Sequence, residues 1–199
     1  MSLAREFENI DILLRNRTKT TGIDCFSLSV IKMERQMRRL FTYSIFQFPC
    51  FKYRHIPALI DALVDENSTY FGGFRRGFEM IHPRSVRDLV GPDYLALWPV
   101  IEKAILQRNK IFHGQLTPDR LSTAQLLAIV ESIRGWCGKL GEGSNAYFGY
   151  SGFDYSFRKA ADRGFVAGYR VPISSVADYK DFLVKHLRAR KLPRKVKTP

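Results

Sequence analysis

The segment Arg108-Asn109-Lys110-Ile111-Phe112-His113-Gly114 sets a guanidinium and an imidazole a short way apart, at what reads as the end of a helix. These two groups are what metal-free cleavage of an RNA phosphodiester requires. A neutral imidazole can take the proton of the 2′-hydroxyl, and an imidazolium can protonate the departing 5′ oxygen. A guanidinium can hold two phosphate oxygens and stabilise the charge that grows on them. RNA brings its own nucleophile, so this chemistry needs no metal. One histidine cannot readily act as base and acid in one turnover. A two-fold dimer would bring a second His113 and a second Arg108 to the same cleft. The plainer account of the same residues is structural. His113 would then sit favourably against a helix C-terminal dipole, and Arg108 would be an ordinary inter-helix ion-pair partner.

The elements that must position this segment are helices. Residues 3–16 carry Leu3, Phe7, Ile10 and Leu14 on one stripe. Gly22 is expected to end that region, and Asp24 to cap a long second helix. That helix repeats Phe26, Val30, Met33, Met37, Leu40/Phe41 and Ile45, leaves Arg35, Arg38 and Arg39 off the stripe, and stops at Pro49. A shorter helix starts at Pro57 and runs through Leu59, Ile60, Leu63 and Val64. Residues 67–92, with Gly72, Gly73, Gly77, Pro83, Gly91 and Pro92, read as loop with at most a short helix near 85–90.

The motif helix covers roughly 94–113, with Leu97, Ile101, Ala104/Ile105, Arg108 and Ile111/Phe112 on its inner side. Pro99 either kinks it or marks its start, and Gly114 sits where a C-terminal glycine belongs. Ser122 and Gln125 form a capping box for the next helix, whose stripe is Leu126, Val130, Ile133, Cys137 and Leu140. After Gly141 the helical period is lost, and a last helix is expected from Ser175 to about Leu187. The expected architecture is all-α: an up-and-down helical bundle with a partly irregular, aromatic and basic C-terminal extension. Its parts are an N-terminal helix over 1–22, the bundle over 23–141 and the extension over 142–199.

The 108–114 segment resembles the signature of the HEPN family. That signature is an arginine, a polar residue directly after it, and a histidine four to six residues further on. Here Asn109 holds the polar position and four residues intervene. The helix with Glu34-Arg35-Gln36-Met37-Arg38-Arg39-Leu40-Phe41 is similar to the family's first core helix, and the helix from Ser122 to the one after the motif. The resemblance spans roughly residues 23–141. It implies a homodimeric all-α bundle with a composite ribonuclease cleft, often in toxin–antitoxin or anti-phage systems. By position Arg108 and His113 would be the catalytic pair and Asn109 would orient them; Glu34 is given no role. Arg75 or Arg76 with His82 also satisfies the bare spacing, but is expected to lie in a glycine-rich loop.

The charge agrees with a polyanionic partner. The 199 residues hold 32 Lys+Arg against 19 Asp+Glu, a formal net charge of +13. A field of that sign attracts nucleic acid, and equally an anionic membrane surface or an acidic, antitoxin-like protein. Lys110 beside the motif, Arg158 and Lys159 in the aromatic stretch, and Arg188 and Arg190 in the basic tail are the candidate RNA-binding cations. From Tyr147 to Tyr169 aromatics interleave with cations, a pattern suited to stacking on bases. The same pattern fits an arm pinned to its own bundle, or to a dimer partner, by aromatic burial, which is the favoured reading.

Three widely spaced cysteines, Cys25, Cys50 and Cys137, fit a reducing compartment. With charges near the N-terminus and no long apolar run, the chain is expected to be soluble and cytoplasmic. The four histidines are scattered without ligand spacing, so neither a metal nor another cofactor is expected. The leading expectation is a metal-independent endoribonuclease. The alternative is a non-catalytic helical module that binds RNA or an acidic partner.

Overall fold

The computed structural model describes residues 2–66, 70–112 and 121–187, and among these it is all-helical, without a strand. In chain order the α-helices are α1 (Leu3–Arg15), α2 (Thr21–Gln47), α3 (Ile56–Asp65), α4 (Phe71–Ile81), α5 (Val86–Val90), α6 (Tyr94–Phe112), α7 (Thr123–Phe148) and α8 (Val176–His186). Helix α2 is the axis of the bundle, packed against α1, α4, α6 and α7. Its stripe of Phe26, Val30, Met33, Met37, Leu40, Phe41 and Ile45 is withdrawn from solvent throughout. Each such side chain contributes roughly 1.5–3 kcal/mol relative to an exposed one, which outweighs any weakness in local propensity.

Caps set several boundaries. Ser122 accepts from the Gln125 amide while Gln125 Oε1 accepts from the Ser122 amide at 2.8 Å, closing the expected box. Ser175 accepts from the Asp178 amide at 3.1 Å and starts α8. Helix α2 starts earlier than expected: Thr20 is its N-cap, and Gly22 and Asp24 lie within it. Asp24 still sits in the first turn, where a carboxylate meets the positive end of the dipole. Pro99 lies inside α6 rather than at its start.

The glycine-rich stretch is the main correction. Residues 71–81 form α4, not a loop, because Phe71, Phe74, Phe78 and Ile81 keep a helical stripe and all four are buried. Gly77 is a close-packing position there: a Cβ would come within 2.7 Å of Leu187 and 2.9 Å of Phe41. The short α5 falls at 86–90 as expected, behind a capping box of Ser85 and Asp88. Helix α7 likewise continues past Gly141 to Phe148. A Cβ on Gly143 would lie 2.0 Å from the Leu89 carbonyl oxygen, so glycine there lets α7 meet the backbone of α5. Tight helix packing, which a single sequence does not display, overrides the roughly 1 kcal/mol that glycine costs a helix. Gly149, at φ 74, then ends α7 in the left-handed conformation.

Beyond α7 the chain lies along α2 in the same direction. Gln36 donates to Ser151 O (2.9 Å), Arg39 to Phe153 O (2.9 Å), Thr42 to Ser156 Oγ (2.8 Å) and Gln47 to Arg158 O (2.8 Å). Tyr150, Phe153 and Phe157 are buried beneath this ladder, so the arm is pinned to its own bundle. Helix α8 closes the far side against α3 and α4.

Candidate functional site

Arg108 stands near the end of α6, on the side that meets α2. Its Nη2 donates to Glu34 Oε2 at 2.9 Å, with about a fifth of each side chain exposed. The pair opens into a cavity of about 330 Å³ whose walls include Ile31, Arg35, Arg38, Tyr70, Phe71 and Phe74. Ile31, Glu34, Arg35 and Arg38 follow helical spacing, so one face of α2 delivers all four. Burial raises the Glu34 carboxyl above its ordinary value, and the pull of Arg108 offsets this only in part.

The neighbouring cations share a single acid. Glu6, buried on α1, takes the Arg35 guanidinium directly, with Lys32 at 3.7 Å and Arg39 at 3.9 Å. Arg38 lies between Arg35 and Arg39 in sequence, is solvent-exposed, and has no hydrogen-bond or ion-pair partner among the described residues. Burial of part of the side chain, then repulsion by Arg39 and Arg35, pushes its pKa down. A guanidinium held among like charges is one that an incoming anion relieves.

The other expected site residues are dispersed. Lys110 is half-buried on the last turn of α6. The side chain of Asn109, and all of His113, Arg188 and Arg190, lie outside the described residues. Arg158 and Lys159 belong to the arm at the far end of α2, about 18 Å along the helix from Glu34 at 1.5 Å per residue. Arg158 is exposed and lies over the Tyr150 ring at 5.1 Å, beside a cavity of about 490 Å³. Lys159 donates to the carbonyls of Phe46 and, at 3.3 Å, Phe48; Arg163 donates to Gln47 O at 2.6 Å. These cations therefore cap the negative end of α2. Burial, then Arg163, lowers Lys159 to about 8, so it remains charged at neutral pH.

The competing Arg/His match lies on and just after α4, contrary to the loop expected there. Arg75 stacks over Trp98 at 4.4 Å and donates to Tyr94 Oη, while Arg76 donates to Leu187 O. His82 is 1 % exposed, 2.7 Å from Ser44 Oγ, among Phe78, Tyr147, Phe148, Phe165 and Tyr169. Burial lowers its pKa to about 3. An imidazole sealed from solvent and neutral at physiological pH does no acid–base work on a substrate.

All three cysteines are free thiols, and burial raises each of them, Cys137 most. Among the described residues no group of three or more His, Cys, Asp or Glu could hold a metal ion, and no helix is long and apolar enough to cross a membrane. The residues that sequence reasoning passed over are Glu34, Arg35 and Arg38. Their i, i+1, i+4 spacing opposite the apolar stripe was the available signal. No protein-family model, curated protein or solved structure matches this chain.

Proposed function

We propose that this chain is a metal-independent endoribonuclease of the HEPN type that acts as a homodimer. The observation supporting this reading is the Arg108–Glu34 pair at the edge of an open cavity that Arg35 and Arg38 also line. A phosphodiester entering it meets three guanidiniums against one carboxylate. Glu34 fixes the plane of the Arg108 fork, and an oriented fork grips two phosphate oxygens better than a mobile one. Arg108 then stabilises the charge that develops as the 2′-hydroxyl attacks. His113 removes the hydroxyl proton, and a second copy of His113 across a two-fold axis protonates the 5′ oxygen. The products are a 2′,3′-cyclic phosphate and a free 5′-hydroxyl. Asn109 would orient this pair. Exposed Leu95 and Leu106, about three turns apart on α6, offer the dimer an apolar contact on the helix that carries the motif.

A second reading has its own observation. Arg38, without a partner among the described residues and with Arg35 and Arg39 beside it, can hold a phosphate backbone without any histidine. On that reading the chain is a non-catalytic RNA-binding module.

Cleavage of a tRNA pool separates the two. Wild type and His113→Ala are each assayed with and without EDTA. The nuclease reading expects cutting by wild type in EDTA, cyclic-phosphate ends, and no cutting by the variant. RNA retained but uncut by a folded, dimeric wild type favours the binding module. Cleavage that chelation abolishes overturns the proposed mechanism.

A further inference from the structure

We propose that the cavity beneath Tyr155 is a nucleobase subsite, which takes one unpaired base of a single-stranded RNA while Arg38 holds the phosphate linking it to the nucleotide beside Arg108. The inference rests on the RNA reading above and names the form of substrate that the same groove accepts.

This second cavity, of about 470 Å³, adjoins the Arg108 cavity, and the two have Arg38 and Phe74 as common walls. Its volume falls in the range of small-ligand pockets, roughly 300–1,000 Å³. Ile60, Leu63 and Val64 of α3 and Phe157 of the arm supply its apolar lining. Tyr155 is 61 % exposed and Val64 64 % exposed, so an aromatic ring and an aliphatic side chain of the lining are open to solvent. The inner end is polar. Ser156 is buried, with its hydroxyl 2.8 Å from that of Thr42, so two hydroxyls line this part of the cavity. An aromatic platform, apolar walls, the hydroxyls of Thr42 and Ser156, the buried Glu66 carboxylate as an acceptor for a base N–H, and the Arg38 and Arg39 cations match a planar base with a polar edge and a phosphate attached.

The groove also has a matching second half. Tyr70, 56 % exposed, lines the Arg108 cavity together with Arg38. Each of the two cavities that share Arg38, which has no partner among the described residues, thus has an exposed tyrosine in its lining, as the alternation of base, phosphate and base in a single strand requires. A duplex cannot offer it, because its bases are stacked on each other. A lipid surface would use the cations but not the partly apolar cavity beside them.

The test uses the full chain and two short oligomers of equal phosphate count. One is 2′-O-methyl oligouridylate, which 2′-hydroxyl attack cannot cut; the other consists of abasic sites. Binding is read by fluorescence anisotropy. Wild type is expected to prefer the base-carrying oligomer by about tenfold, the scale of one base–aromatic stack. Tyr155→Ala should abolish that preference by weakening only the base-carrying oligomer, and Tyr155→Phe should keep it. Arg38→Gln should weaken both and reduce the slope of log affinity against log salt by about one. Circular dichroism confirms that each variant is folded.

Equal wild-type affinity for the two oligomers overturns the subsite, as does a Tyr155→Ala loss that is the same on both. So does a chain that cuts tRNA yet binds neither oligomer; in these cases the nuclease reading stands on its own assay. A wild type that neither binds nor cuts RNA overturns both.

Discussion

The two ends of α2 show opposite uses of the same side chains. Around Glu34 the helix projects Arg35 and Arg38 toward one open cavity and Arg38 and Arg39 toward the next, with buried Glu6 beside Arg35 and Arg39. Around Gln47 the cations come from the arm, and Lys159 and Arg163 point inward to the last carbonyls of the helix. Both regions are basic and aromatic, and in composition they look alike. What separates them is the use of particular cations: Arg38 has no acceptor among the described residues, whereas Lys159 and Arg163 donate to helix carbonyls. A cation capping a helix stabilises the fold; one without an acceptor is available to a ligand.

The largest effect expected at the arm end comes from His82, which ties α4 to Ser44 of α2. Its pKa falls from 6.5 to about 3, so the unfolded chain binds a proton that the folded chain refuses. The stability this group confers is complete above pH 6.5 and is lost as pH falls toward 3. The whole shift corresponds to roughly 5 kcal/mol, and about 3 kcal/mol of it is gone by pH 4.5. Urea unfolding at pH 7 and 4.5 should show that loss in wild type and a much smaller one in His82→Phe. An equal loss in both would mean that His82 is not sealed, and the arm end is more open than described.

Next in size is Arg108→Ala at the other end. Removing one preorganised donor to a developing anion lowers kcat by about 10²-fold or more. The helical content should be unchanged. Single-turnover cleavage of tRNA measures it, and retention of full activity would remove Arg108 from the chemistry.

Lys159→Met should cost about 1–2 kcal/mol in urea unfolding, the scale of a partly buried cation at a helix C-terminus. It should leave RNA affinity as it was. An affinity loss as large as that of Arg38→Gln would erase the distinction between the two ends. The smallest effect is that of Arg38→Gln on stability, expected within about 0.5 kcal/mol because the side chain is exposed and has no acceptor to lose. A larger destabilisation would reveal a partner for Arg38.

How far the sequence disclosed these regions depended on the kind of signal. The stripe of α2, the capping box at Ser122 and the serine before α8 were legible because each is a local pattern with a local energetic cause. Helix α4 and the last turns of α7 were hidden behind glycines, whose helix-breaking tendency is local while their close-packing value depends on a distant neighbour. For Gly77 that neighbour is Leu187, and for Gly143 it is Leu89. The Arg108–Glu34 pair was half legible. The arginine stood out in its motif, but its acid lies on another helix.

By itself the sequence determined that the chain is helical, strongly basic and built on one long amphipathic axis, because periodicity, caps and net charge are properties of neighbouring residues. Only the tertiary structure decided which cations have acceptors. Arg38 and Lys159 are equally charged as residues. One stands among like charges at the rim of two cavities, and the other closes the carbonyl end of a helix. That difference comes from long-range packing, which sets the distance from each charge to the nearest oxygen.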